Sequence, residues 1–174
     1  MITIVVGTNR MNSVSRQVAD YYQGILREKG AESQVVDLVD LPADFTGNAL
    51  YENNGKNPEF NAIREKVQAS DKLVFVVPEY NGSFPGILKA FIDGLKYPEG
   101  IRDKKGALIG VSSGVQGGVF AMSHLTDIFN YLGMHVLAVK PKLAGIEKNF
   151  EDGKITNKLY NQLLNDQAEK LISF

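Results

Sequence analysis

Short apolar, β-branched runs alternate with helical apolar periods along nearly the whole chain, and this alternation restricts the fold more than any other feature. Ile2-Thr3-Ile4-Val5-Val6 stops at Gly7; Gln34–Leu38, Lys72–Val77, Ala107–Ser112 and Met134–Val139 follow as further runs. Continuous apolar runs of this length read as strands buried on both faces, the habit of parallel sheets. Between the runs, Val14, Val18, Tyr21, Tyr22 and Ile25 recur at helical spacing and stop at Lys29-Gly30. Phe60, Ile63 and Val67 predict a second helix behind Pro58, and Ile87, Leu88, Phe91, Ile92 and Leu95 a third behind Pro85. Phe120, Ala121, Leu125, Ile128, Phe129 and Leu132 predict a fourth, and Leu159, Leu163, Leu164, Ala168, Leu171 and Ile172 a closing one. Strands alternating with helices require βαβ crossovers. The expected fold is α/β, a three-layer, doubly wound, five-stranded parallel sheet in one domain spanning 1–174. Leu41–Asn57, with Pro42, Gly47 and Gly55, predicts a long loop for binding or subunit contact.

Composition narrows the chemistry. The chain has no cysteine, which excludes disulfides, thiolate nucleophiles and iron–sulfur clusters. Two histidines, His124 and His135, give no basis for a His-rich metal site. Redox chemistry would need a borrowed cofactor. Nineteen basic against twenty acidic residues give a net charge of −1, which argues against nucleic-acid and membrane partners. No 18-residue apolar run is present, and Met1 leads straight into a strand, so the expected location is cytoplasmic.

Ligands of doubly wound sheets bind beyond the carboxyl ends of the strands, which directs attention to three loops. Gly7-Thr8-Asn9-Arg10-Met11-Asn12-Ser13-Val14-Ser15 enters the first helix. Unpaired amides at a helix start, the helix dipole and a forked guanidinium make an anion site, although Ser13 could equally be a plain N-cap. Pro78-Glu79-Tyr80-Asn81-Gly82 combines an aromatic, an amide and a carboxylate at the third strand's end; Glu79 could face a ligand or cap the adjacent loop. Ser112-Ser113-Gly114-Val115-Gln116-Gly117-Gly118 is rich in glycine and allows a ligand close to the backbone. One loop fits a phosphate and the other two a planar ring, which suggests a mononucleotide such as FMN.

These loops resemble those of the NAD(P)H-dependent FMN reductases. Gly7-Thr8-x-Arg10-x-x-Ser13 is similar to that family's phosphate loop, with Thr8 where Ser is usual. Pro78-Glu79-Tyr80-Asn81, followed by Pro85-Gly86-x-Leu88-Lys89-x-x-x-Asp93, is similar to its most specific signature, and Ser112-Ser113-Gly114-x-x-Gly117-Gly118 to its third loop. The resemblance implies a flavodoxin-like sheet of strand order 2-1-3-4-5 binding FMN non-covalently. It implies that Gly7, Thr8, Arg10, Ser13, Val14 and Ser15 hold the phosphate and that Pro78, Glu79, Tyr80, Asn81 and Gly82 lie along the isoalloxazine. Ser112, Ser113, Gly114, Gly117 and Gly118 would border the ring or ribityl chain. It further implies NAD(P)H as co-substrate, a small electron acceptor such as a flavin or quinone, and a homodimer or homotetramer.

Two other functions fit parts of the sequence. Gly110-Val111-Ser112-Ser113-Gly114 spells G-x-S-x-G, and Asp127 and His135 follow in the chain order of a serine hydrolase. A flavodoxin-type carrier would share the fold, but it would be strongly acidic and its phosphate loop would lack Arg10.

Overall fold

The computed structural model describes residues Met1–Phe174. Its elements run β1 (Ile2–Val6), α1 (Val14–Glu28), β2 (Ser33–Asp37), α2 (Phe45–Asn48), α3 (Pro58–Gln68), β3 (Lys72–Pro78), α4 (Gly86–Asp93), β4 (Lys105–Val111), α5 (Val119–Tyr131), β5 (His135–Val136), β6 (Lys142–Leu143), β7 (Phe150–Glu151), β8 (Lys154–Ile155) and α6 (Lys158–Ser173). The main sheet is parallel, in the order β2-β1-β3-β4-β5, as expected.

Side-chain alternation along the strands divides the core into two. Ile4, Val6, Val74, Val76, Ala107 and Ile109 face α1 and α6, where Val18, Tyr22, Leu26, Leu164, Ala168 and Leu171 cover them. Val5, Phe75, Val77 and Leu108 face α3, α4 and α5, meeting Phe60, Phe91 and Phe129. Burial of both faces is what the continuous apolar runs required. Three layers result.

The fifth strand departs from expectation. In place of Met134–Val139, two short pieces share the edge of β4: β5 beside Lys105 and Gly106, and β6 beside Gly110 and Val111. The chain leaves the edge between them over Ala138–Lys140 and is back by Pro141, whose carbonyl accepts from the Gly110 N–H at 2.9 Å. The side chain of Gln167, fully buried on α6, partly fills this gap: its Nε2 donates to the carbonyls of Leu108 and Val139, each at 2.8 Å.

The segment 41–57 is also more structured than a loop. It holds α2 and one turn of 3₁₀-helix, Tyr51–Asn53, and Phe45, Ala49 and Leu50 enter the core. Phe45 packs on Phe60 with ring centroids 4.6 Å apart.

Gln167→Leu is expected to strand the buried Leu108 carbonyl, to leave the half-buried Val139 carbonyl without this donor, and to lower stability by about 2 kcal/mol. Urea unfolding with an unchanged m-value checks this.

Candidate functional site

β1, β3 and β4 end side by side, and the loops that follow them enclose a cleft of about 440 Å³, within the size range of small-ligand sites. Of the residues expected to bind, Thr8, Arg10, Ser13, Val14, Ser15, Pro78, Glu79, Tyr80, Asn81, Ser112 and Ser113 line it. Gly7, Gly82, Gly114, Gly117 and Gly118 belong to the same loops but not to the wall.

At one pole, Ser13 caps α1, its Oγ accepting from the Arg16 N–H at 3.1 Å. The plain N-cap geometry is therefore present, yet it sits beside unused donors. The N–H groups of Asn12, Ser13, Val14 and Ser15 have no acceptor within the protein, and they lie at the positive end of a 15-residue helix. Arg10 lines the same pole and forms no ion pair. Amide donors, helix dipole and guanidinium together suit a dianionic phosphate.

At the other pole, Tyr80 and Ser83 exchange backbone hydrogen bonds of 2.8 and 3.1 Å around Asn81 and Gly82. Both central residues have positive φ, 52° and 75°, which is why an Asn-Gly pair stands there. The Asn81 N–H is unpaired and available to a ligand edge. Tyr80 Oη meets Thr8 Oγ1 at 2.9 Å, joining the two poles across the sheet. The residues present fit a flat mononucleotide with a terminal phosphate, and FMN is such a ligand.

Glu79 accepts at Oε2 from the Gly118 N–H at 3.2 Å. Gly118 opens α5 and has no side chain with which to cap it, so Glu79 supplies the cap from the neighbouring loop. The last two glycines of the third loop serve packing. A Cβ on Gly118 would lie 2.8 Å from Gly110 Cα, and one on Gly117 2.8 Å from Lys142 Cβ; both residues have positive φ.

Asn12, Val111, Ile146 and Glu147 complete the lining. Ile146 and Glu147 follow β6 and are held by Ile146 N–H donating to Ser112 O at 3.1 Å and Ser113 Oγ donating to Glu147 at 2.9 Å. No motif marks them; only the split of the fifth strand brings them over β4.

The hydrolase constellation does not assemble. Ser112 Oγ donates to Gly114 O at 2.8 Å and accepts from Gly117 N–H at 2.9 Å. His135 pairs with Lys105 at the opposite end of β4, about 20 Å away along the strand.

Known proteins resemble this chain in sequence and in fold. A sequence model described as NADPH-dependent FMN reductase matches residues 1–144. An NAD(P)H-dependent FMN reductase of Pseudomonas aeruginosa is 32% identical over 136 residues, covering 75% of this chain and 70% of its own length. A 2-hydroxy-1,4-benzoquinone reductase of a Burkholderia species is 34% identical over 148 residues, covering 82% and 76%. Among solved structures, the flavoenzyme NAD(P)H:(acceptor) oxidoreductase FerB of Paracoccus denitrificans superposes with a TM-score of 0.77 at 23% identity, covering 99% of this chain and 94% of that one.

The capping role of Glu79 has a direct test in the apoprotein. Glu79→Ala is expected to lower its stability by about 1–2 kcal/mol, whereas Glu79→Gln, which keeps an acceptor oxygen, should lose less than half of that. Thermal unfolding of the two variants distinguishes a cap from a residue that serves the ligand alone.

Proposed function

Because the chain belongs to the NADPH-dependent FMN reductase family, we propose that this cleft is where it holds FMN non-covalently and passes reducing equivalents from NAD(P)H to a small acceptor, a flavin, quinone or similar molecule. The enzyme is an NAD(P)H-dependent oxidoreductase of the FMN and quinone reductase class. The observation that carries the site assignment is the division of one cleft into an anion pole at Arg10 and the α1 amides, and a flat, amide-edged pole at Tyr80-Asn81.

FMN held here would supply the hydride chemistry that links NAD(P)H to the acceptor. The protein's part is orientation and electrostatics. Thr8, Arg10, Ser13, Val14 and Ser15 bind the phosphate. Pro78–Gly82 flank the ring, with the Asn81 N–H placed to stabilise negative charge on its polar edge. Ser112 and Ser113 border the remaining wall, with Gly7, Gly114, Gly117 and Gly118 shaping the backbone beneath.

We read residues 1–174 as one FMN-binding unit. In support, the cleft takes in Ile146 and Glu147 beyond the matched segment, and α6 packs on the sheet. A homodimer or homotetramer is part of the same reading. The loops around the cleft leave Met11 and Val115 at 75% and 90% exposure, and the first turn of α5 leaves Phe120 at 50%, apolar surface suited to a second subunit. No helix is long and apolar enough to cross a membrane. The near-neutral charge and the use of NAD(P)H favour a cytoplasmic enzyme without a nucleic-acid partner.

The purified protein, supplied with FMN, should retain a flavin absorption spectrum and be bleached by NADPH under anaerobic conditions. A protein that stays colourless would overturn the reading, and one that holds FMN but is not bleached by NADPH or NADH would be a carrier. Arg10→Ala should raise the FMN dissociation constant by about tenfold or more, through loss of a charge-assisted phosphate contact. Unchanged affinity would remove Arg10 from the site.

A further inference from the structure

The Tyr80–Ser83 turn carries Asn81, which lines the cleft with its N–H unpaired, but the turn's two reciprocal backbone bonds fix only its own closure. Its tilt over the strand ends has to be set from outside, and three side-chain bonds reach it from separate directions. Tyr80 Oη meets Thr8 Oγ1 in the first loop, at 2.9 Å. On the stem, Glu79 Oε2 accepts from Gly118 N–H at 3.2 Å. On the far side, Ser83 Oγ meets His124 Nδ1, on the second turn of α5, at 2.9 Å.

Thr8, Tyr80 and Glu79 all line the cleft, whereas neither Ser83 nor His124 does. Any effect of that third bond on the ligand must therefore pass through the turn. We propose that His124 is a positioning residue for FMN: by anchoring Ser83 to α5, it holds the Asn81 amide at the angle the flat pole requires. This rests on the reading of the cleft as an FMN site. The bond survives a change of tautomer, because Ser83 can donate to a bare Nδ1 or accept from Nδ1–H.

His124 is on the exposed side of α5 and packs into neither core cluster. Its replacement removes a tether without opening a cavity. A small, local consequence follows: weaker FMN binding in a protein of undiminished stability. A misplaced amide also lowers catalysis out of proportion to binding, since alignment matters most as charge develops.

The test is FMN titration of the apoprotein, followed by quenching of flavin fluorescence, for wild type, His124→Ala, Ser83→Ala, the double variant and His124→Asn. Each single alanine variant should raise the dissociation constant about threefold to fivefold, the value of one modest hydrogen bond. The double variant should be no worse than either single one. His124→Asn, which can place an amide atom near the lost Nδ1, should recover most of the affinity, and the apoprotein unfolding midpoint should not move. Wild-type affinity in both alanine variants, additive losses in the double variant, or losses that follow a lowered unfolding midpoint and are not rescued by Asn would each overturn the assignment. Failure of the wild-type apoprotein to bind FMN would instead overturn the function proposed for the cleft, and this role with it.

Discussion

The central strand dictates where this protein can act. Leu73–Val77 of β3 are wholly buried, covered by helices on both sides and by β1 and β4 at both edges. Such a strand can present nothing to a ligand along its length, so recognition is confined to the point where it stops. Pro78 ends it, and the backbone turns out of the sheet through Glu79 and Tyr80 beside the similarly terminated β1 and β4. The apolar core and the polar cleft are two consequences of one arrangement. The core fixes three strand ends in register, and the loops inherit that registration without needing rigidity of their own.

Within the cleft, the protein contributes donors more than reactive groups. Backbone amides at α1 and at Asn81, with one guanidinium, suit the two ends of a mononucleotide. The acidic side chains near the site are already engaged: Glu79 with the start of α5, Glu147 with Ser113. A cofactor that carries its own chemistry asks for this kind of site, one that holds and orients. The absence of cysteine from the whole chain accords with a redox centre lying wholly in the flavin.

Much of this was legible in the sequence, because local rules and the tertiary fold agree. The strand runs of β1, β3 and β4, the helix periods and the three loop motifs each have a short-range signature, and they placed most of the cleft wall. What escaped depends on contacts distant in sequence. Where Met134–Val139 leaves the sheet edge, the Gln167 side chain of α6 donates to the Leu108 and Val139 carbonyls, a contact no strand pattern foresees. Ile146 and Glu147 reach the cleft only because the chain returns to β4 at Lys142. The glycines Gly117 and Gly118 read as room for a ligand, while the structure uses them for contact with Gly110 and Lys142, a distinction that composition cannot make. Phe45, in a segment marked by proline and glycine, enters the core through its ring contact with Phe60.

The side chain that fills the gap in the fifth strand has a consequence for how the molecule assembles. The Leu108 carbonyl accepts its hydrogen bond from a residue 59 positions further along the chain. A chain that has paired β1 to β4 but has not docked α6 therefore carries an open parallel edge, bounded by two strands of only two residues each. Such edges template pairing with other chains. The closing helix is thus also a guard, sealing the border of the sheet where an incompletely folded molecule is most able to join another.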